Sequence, residues 1–331
     1  METQSFRAFR IHQEQGRTVA RLEAISLDDL SPGEVVIKVH YSTINYKDAL
    51  AATGKGKILR KFPLVGGIDL AGEVIESAAP AVRVGDRVLV TGCGLSETHD
   101  GGYAEYARVP AEWVIPIPPP LDEFECMAIG TAGFTAALAI HRMEENGQDP
   151  AAGEILVTGA SGGVGSLAID MLTGRGHRVV AVSGEPQAVP YLQDLGAVRV
   201  LDRREIDYGS KPLETIRWAG AIDNVGGEML AWLTRTTDFR GNIASIGMAA
   251  STKLETTVLP FILRGINLLG INSVHTPRAL RLRVWERLAS DLRPRDLAKI
   301  VTRTVGLADL ATAFDAYLDA TVLGRTVVRI A

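Results

Sequence analysis

The chain has 331 residues, 46% of them hydrophobic, with 35 basic against 39 acidic side chains and a net charge of −4. That length exceeds one ordinary core and points to two domains, while the apolar content excludes long disorder. The near balance of charge excludes an extended nucleic-acid-binding or membrane-binding surface. Cys93 and Cys126 have no metal-type spacing and read as reduced cytosolic thiols. The opening Met1-Glu-Thr-Gln-Ser-Phe-Arg7 lacks the apolar core of a signal peptide. No apolar run approaches the length of a membrane span, so a soluble, cytoplasmic protein is expected.

In chain order, residues 34–41 alternate, with Val35, Ile37, Val39 and Tyr41 on one face. Residues 72–76, 86–90 and 103–109 are further short strands between Gly and Pro turns, which predicts an all-β, barrel-like domain over residues 1–125. The proline-rich stretch 116–120 marks its exit, and a helix is expected over residues 123–142. A strand at 155–157 then runs through a glycine-rich turn into a helix at 166–172. Strands at 176–183, 198–201, 220–226, 241–247 and 266–272 follow, with a helix over 188–195. Strands apolar on both faces and separated by helices predict a parallel sheet covered on both sides, over residues 126–271. The tail, 324–330, reads as a strand that returns to the first domain. That domain then comprises 1–125 and 272–331, and a cofactor is expected in the cleft between the two.

The turn itself, Ile155-Leu-Val-Thr-Gly-Ala-Ser-Gly-Gly-Val-Gly165, carries the chemistry. Glycines let the backbone approach a pyrophosphate, and the free N–H groups of a helix start hold its charge. The spacing Gly159, Gly162, Gly163, Gly165 is a variant of G-x-G-x-x-G, a pattern that by itself also fits an ordinary tight turn. The strands that follow it decide for a Rossmann domain.

Several motifs together resemble the medium-chain dehydrogenase/reductase superfamily. They are Pro32-Gly-Glu-Val35, Asn45-Tyr-Lys-Asp48, Gly66-Gly-Ile-Asp-Leu-Ala-Gly72, Gly85-Asp-Arg-Val88, Gly130-Thr-Ala-Gly-Phe-Thr-Ala136, the glycine turn and Gly324-Arg325. Lys55-Gly-Lys57, Trp218-Ala-Gly-Ala-Ile-Asp223 and Leu259-Pro-Phe-Ile-Leu-Arg264 resemble its zinc-independent acryloyl-CoA reductase branch, often labelled quinone oxidoreductase. The resemblance covers nearly the whole chain. It implies an α/β protein, a GroES-like β-barrel catalytic domain plus a doubly wound Rossmann domain.

Zinc-using members of the superfamily carry Gly-His-Glu where this chain has Gly67-Ile68-Asp69. The cysteine-rich zinc lobe is replaced by residues 91–100, in which Cys93 and His99 do not make a site by themselves. No metal requirement is expected. Hydride transfer to a C=C bond then needs another group to stabilise the enolate. Tyr46 is the candidate for polarising a thioester or orienting the nicotinamide amide, set against the plainer reading of a barrel-rim packing residue. Asn45 accompanies it as a candidate catalytic residue. Lys47 is a weaker candidate, since it also reads as half of an ordinary helix-start pair with Asp48.

The resemblance implies cofactor contacts from Tyr46, Thr131, Ser161, Gly162, Gly163, Val164, Ser183, Gly184, Arg203, Met248, Ile262, Ser273 and Arg325. The second Rossmann strand ends Val182-Ser183-Gly184 without the acid that binds ribose hydroxyls, which favours a 2′-phosphate and hence NADPH. Glu185 stands where related reductases place an arginine, so NADH stays open, while Arg203 matches a second phosphate-binding arginine, with Arg204 in reserve. Lys55, Lys57, Arg60 and Lys61 form a basic loop suited to an anionic substrate such as a CoA thioester, although such clusters are usually just solvated. Three functions follow: an NADPH-dependent reductase of a short enoyl-CoA with acryloyl-CoA first, a quinone or unsaturated-ketone reductase, or a nucleotide-binding sensor without chemistry. The apolar stretch 262–271 ends in an edge-like strand that would pair in a homodimer, or be buried within one subunit.

Overall fold

The computed structural model describes residues 5–330; the stretch read above for a signal peptide starts in residues 1–4, outside them. Two compact units are present. The first contains the chain up to Thr131, Val274–Trp285 and Leu297 onward, and the second contains Ala132–Ser273 and Glu286–Asp296.

The first unit opens on a long hairpin absent from the strands expected above, β1 (Phe6–Glu14) and β2 (Arg17–Ile25), paired antiparallel throughout. There follow β3 (Val35–Ile44), helix α1 (Tyr46–Thr53), β4 (Leu64–Val65), β5 (Asp69–Ser77), β6 (Arg87–Thr91), β7 (Tyr106–Val109), β8 (Ile115–Pro116) and helix α2 (Glu123–Glu145). Strand β3 is the hub, antiparallel to both β5 and β7. Its Val35, Ile37 and Val39 join Leu70, Val74, Val88 and Val90 in one core, the inward face that the period-two pattern implies. Helix α1 stops at Gly54, whose φ of +70° favours glycine, and a Cβ there would lie 2.6 Å from Thr18 Oγ1.

Helix α2 is long and apolar enough to cross a membrane by length and composition, which corrects the expectation that no such run exists. It is nonetheless a core helix: 83% of its apolar window is buried, and Gly130 breaks it with φ 52° and ψ −160°.

The second unit alternates β9 (Glu154–Val157), α3 (Gly163–Gly174), β10 (Arg178–Ser183), α4 (Val189–Asp194), β11 (Arg199–Asp202), β12 (Trp218–Asp223), α5 (Gly227–Thr236), β13 (Thr237–Ser245), α6 (Leu259–Leu263) and β14 (Asn267–Gly270). The sheet is six-stranded in the order β11-β10-β9-β12-β13-β14, and every pair is parallel. Leu156, Val180, Ala221 and Ile243 cluster together, while Ile155, Val157, Val179 and Ile222 are also buried. Both sheet faces are therefore covered, as continuous apolar strands require. The strand order reverses at β9, so the carboxyl ends of β9 and β12 bound the crevice that doubly wound sheets use for ligands.

The chain then forms α7 (Arg278–Leu288), α8 (Leu297–Ile300), β15 (Val301–Gly306), α9 (Leu310–Leu318) and β16 (Arg325–Arg329). Strand β16 lies antiparallel to β3 and parallel to β15, in the seven-stranded sheet of the first unit.

Candidate active site

In the second unit, β9 ends at the glycine turn. Gly159 has φ +56°, and a Cβ on Gly165 would lie 2.4 Å from Gly159 O and 2.6 Å from Ala160 Cα. Only glycine lets α3 begin so close to the strand. The first N–H groups of a helix have no intrahelical acceptor; here no side chain caps them and no acid occupies the first turn. Ser161, Gly162, Gly163 and Val164 are all half-buried at this end. An uncapped, partly positive helix start of this kind fits a dinucleotide pyrophosphate.

At the tip of β10, Ser183 is buried and its Oγ accepts from the Glu185 N–H at 3.1 Å. Arg203 follows β11 with its N–H donating to Ser183 O at 3.0 Å. A Cβ on Gly184 would lie 2.3 Å from Arg203 Nε, so the arginine side chain lies against the bare glycine. Arg204 is held by Asp202, its Nε donating at 2.9 and 3.1 Å. The Glu185 carboxylate accepts from Gln187 Nε2 at 2.9 Å. Among the described residues no hydrogen bond or ion pair engages the Arg203 guanidinium, which is exposed. Met248 (67% exposed) follows β13, Ile262 (70% exposed) lies on α6, and half-buried Ser273 follows β14.

In the first unit Asn45, Thr131 and Arg325 meet in one polar network around Asp69, and Tyr46 and Lys47 stand outside it. Tyr46, the first residue of α1, is 48% exposed, and no ring contact or hydrogen bond engages it among the described residues. A packing residue at a barrel rim would be covered instead. Asn45 differs from its expected role, because its polar atoms are committed to the fold. Its Nδ2 donates to Asp69 Oδ2 at 2.8 Å, its N–H donates to Asp48 Oδ2 at 2.8 Å, and its Oδ1 accepts from Arg325 Nη1 at 3.3 Å. Thr131 joins through its N–H to Asp69 Oδ2 at 3.0 Å and its hydroxyl to Asp69 Oδ1 at 2.5 Å.

Arg325 does not present its charge to a phosphate. It is 2% exposed and donates to Ala128 O, Ile44 O and Thr43 Oγ1 at 3.0, 3.2 and 2.7 Å. Lys47 pairs with the Glu97 carboxylate, which removes it from the free cations near Tyr46. Burial and the neighbouring Asp69 push the Asp48 carboxyl up to about 7. Burial also raises Asp69, against the opposing bonds from Thr131 and Asn45.

Asp48, Asp69 and Glu97 were not among the expected site residues. The available signal was an acid, Asp69, set between Ile68 and Leu70 in an apolar run, since acids are rarely fully buried without partners. In the basic loop, Lys55, Lys57, Arg60 and Lys61 are exposed. The Arg60 N–H donates to Glu97 O at 2.7 Å, and Lys61 Nζ donates to Ser31 Oγ at 3.1 Å.

Cys93 sits in a left-handed turn at φ +55°. His99 Nε2 bonds Arg108 O at 2.8 Å, and its ring packs edge-on against Trp113. Among the described residues no group of three or more His, Cys, Asp or Glu is gathered as a metal-ligand set.

Residues 31–119 match the family model for the alcohol dehydrogenase GroES-like domain, and residues 163–290 match that for zinc-binding dehydrogenases. The chain is 46% identical over 317 residues to the acrylyl-CoA reductase AcuI of Ruegeria pomeroyi, covering 96% of each chain. It is 46% identical to the YhdH oxidoreductase of Salmonella enterica, whose crystal structure in complex with NADP matches with a TM-score of 0.95 over 98% of this chain and 100% of that one. YhfP of Bacillus subtilis, solved with NAD bound, is 44% identical with a TM-score of 0.96 over 98% of this chain and 99% of that one. YhfP carries a provisional quinone oxidoreductase name. The chain belongs to the medium-chain dehydrogenase/reductase superfamily of oxidoreductases, in the branch of the acrylyl-CoA reductases and their quinone oxidoreductase-like relatives.

Proposed function

We propose that this chain is an NADPH-dependent reductase of the C=C bond of a short α,β-unsaturated acyl-CoA, with acryloyl-CoA the lead substrate and propanoyl-CoA the product. The similarity to AcuI across almost the full length carries the substrate class. The cofactor choice rests on Arg203, a guanidinium that no hydrogen bond or ion pair engages among the described residues and that lies along Gly184 at the β10 tip, where a 2′-phosphate needs a cation. Glu185 engages Gln187 and leaves that position to the arginine.

The reduced nicotinamide, when bound, supplies hydride to the β-carbon of the substrate. The chain's own residues do the rest. The α3 N-terminus with Ser161, Gly162, Gly163 and Val164 holds the pyrophosphate. Ser183, Gly184 and Arg203 hold the adenosine end, and Thr131, Met248, Ile262 and Ser273 are taken as further cofactor contacts. The Tyr46 hydroxyl donates a hydrogen bond to the thioester carbonyl oxygen, on which negative charge collects as hydride arrives, and a proton taken up from water at the α-carbon then completes propanoyl-CoA. Lys55, Lys57 and Arg60, on the loop that follows α1, attract the CoA phosphates, so that remote binding energy orients a small acyl group.

Two further attributes belong to this reading. A homodimer is supported by β14, an edge strand of the six-stranded sheet, with exposed Val258, Leu259, Ile262 and Leu263 in the adjoining sequence. A cytoplasmic setting is supported by Cys93 and Cys126, both free thiols.

Quinone or unsaturated-ketone reduction is the second reading, favoured by the YhfP likeness. Steady-state rates with acryloyl-CoA, with the same acyl group on a short N-acetylcysteamine thiol, and with a simple quinone separate the two. The enoyl-CoA reading expects the full CoA ester to have at least a tenfold higher kcat/KM than the truncated ester, equivalent to about 1.4 kcal/mol from the CoA moiety. Quinone turnover that exceeds both esters would replace it with the second reading.

A further inference from the structure

The chemical role given to Tyr46 needs its exposed hydroxyl to be held in one place, yet among the described residues no side chain holds the hydroxyl itself. What fixes the residue is the start of α1, held locally by Asp48, whose Oδ2 accepts from the Asn45 N–H, and across strands by a carboxylate on β5. We propose that Asp69 is a positioning residue for the reaction: its buried carboxylate clasps Asn45 and Thr131 and so sets where Tyr46 presents its hydroxyl. The proposal rests on the role of Tyr46 stated above.

Asp69 is fully buried at the first position of β5, so it acts through other residues. Its Oδ2 receives Asn45 Nδ2 at 2.8 Å and the Thr131 N–H at 3.0 Å, while its Oδ1 receives the Thr131 hydroxyl at 2.5 Å. These donors come from the residue just before Tyr46 and from the residue just after the break in α2. A Cβ on Gly130 would lie 2.7 Å from Arg325 Nη2 and 3.0 Å from Asp69 Oδ2, so the break and its glycine are what bring Thr131 onto the carboxylate. Arg325 closes the arrangement from the other side, donating to Asn45 Oδ1, Ile44 O and Thr43 Oγ1. Every polar atom of the Asn45 side chain is thereby assigned a partner, which fixes its amide orientation and the first turn of α1.

Burying a carboxylate is unfavourable, and an apolar residue of similar volume generally serves a core at least as well. The two side-chain donors to Asp69 are Asn45, the residue immediately before Tyr46, and Thr131, the residue just past the break in α2. Orientation of the site explains the choice, since supporting hydrogen bonds that lock first-turn geometry are what keep a reacting group in register.

A double-mutant cycle tests this with the full-length protein. Preformed enzyme–NADPH is mixed with acryloyl-CoA, and single-turnover loss of nicotinamide absorbance is followed for wild type, Asp69→Asn, Tyr46→Phe and the double variant, each checked for folding by thermal melting. If Asp69 works through Tyr46, Asp69→Asn slows the step by about tenfold or more, and the double variant is within about threefold of the slower single variant. Multiplying effects would overturn the positioning role and leave Asp69 as a general contributor to stability. If Tyr46→Phe alone leaves the rate unchanged, the role of Tyr46 itself fails, and this proposal falls with it. Should Asp69→Asn not fold, Asn45→Ala severs the same link, and a multiplicative cycle with Tyr46→Phe counts against the proposal in the same way.

Discussion

The two units carry their proposed sites in opposite ways. In the second unit the proposed phosphate site is main chain: glycines of one local turn, an uncapped helix start and a single arginine laid on Gly184. In the first unit the proposed site is side chain, drawn from the Asn45–Asp48 motif, Asp69, Thr131 and Arg325, segments remote from one another in sequence that meet around buried carboxylates. A backbone site tolerates most side-chain changes as long as its glycines remain. A side-chain network fails when any one member is removed, because each buried donor or acceptor left unpaired carries its own penalty.

That contrast can be broken at several points. Tyr46→Phe should produce the largest effect, lowering kcat with acryloyl-CoA by about 100-fold with little change in NADPH affinity, as expected for loss of one donor to a developing oxyanion. A change confined to cofactor binding, read by nicotinamide fluorescence titration, would instead return Tyr46 to an orienting role. Arg203→Ala should weaken NADPH by about ten- to a hundredfold, the equivalent of about 1.5–3 kcal/mol, and leave NADH nearly unaltered. An equal loss for both cofactors would remove Arg203 as the 2′-phosphate ligand.

Asp48 sharpens the comparison through pH. Its carboxyl is raised to about 7 in the folded chain, above its ordinary value of 3.8, so the folded state binds the proton more tightly than the unfolded state. This group's contribution to stability is therefore complete below about pH 4 and falls as pH rises to about 7, by on the order of 4 kcal/mol. Denaturant titrations across that range should show this slope, and Asp48→Asn should flatten it whatever its effect on absolute stability. The smallest change is expected for Lys47→Ala: its pair with Glu97 is partly solvated, so kcat should fall less than about threefold and stability by at most about 1 kcal/mol. A loss of activity comparable to that of Tyr46→Phe would restore Lys47 as a catalytic candidate.

Legibility in the sequence followed the same division. The Rossmann strands and the glycine turn were visible because each is local: apolar runs of strand length, glycines at fixed spacing, helices between. The end of β10 at Ser183 is legible for the same reason. The β1–β2 hairpin escaped because β2 is mostly exposed or half-buried and shows no clean alternation. Helix α2 was recognisable, but not its break, since Gly130 inside an apolar helical run looks like a tolerated glycine until Arg325 and Asp69 are seen to fill the space beside it. Arg325 illustrates the limit most clearly. A glycine-arginine pair near the chain end resembled a phosphate contact, and only the three-dimensional pairing of β16 with β3 puts that arginine among buried carbonyls. Asp69 stood in a quoted motif as the residue following a missing histidine ligand, and its partners, Asn45 and Thr131, are too distant in sequence to have been inferred.

The most direct test of the account is product analysis: purified protein is incubated with acryloyl-CoA and NADPH, and the CoA esters are separated and weighed by mass spectrometry alongside NADPH oxidised. Propanoyl-CoA should form one for one with NADPH consumed. Unchanged acryloyl-CoA, in a preparation that oxidises NADPH when given a quinone, would contradict it.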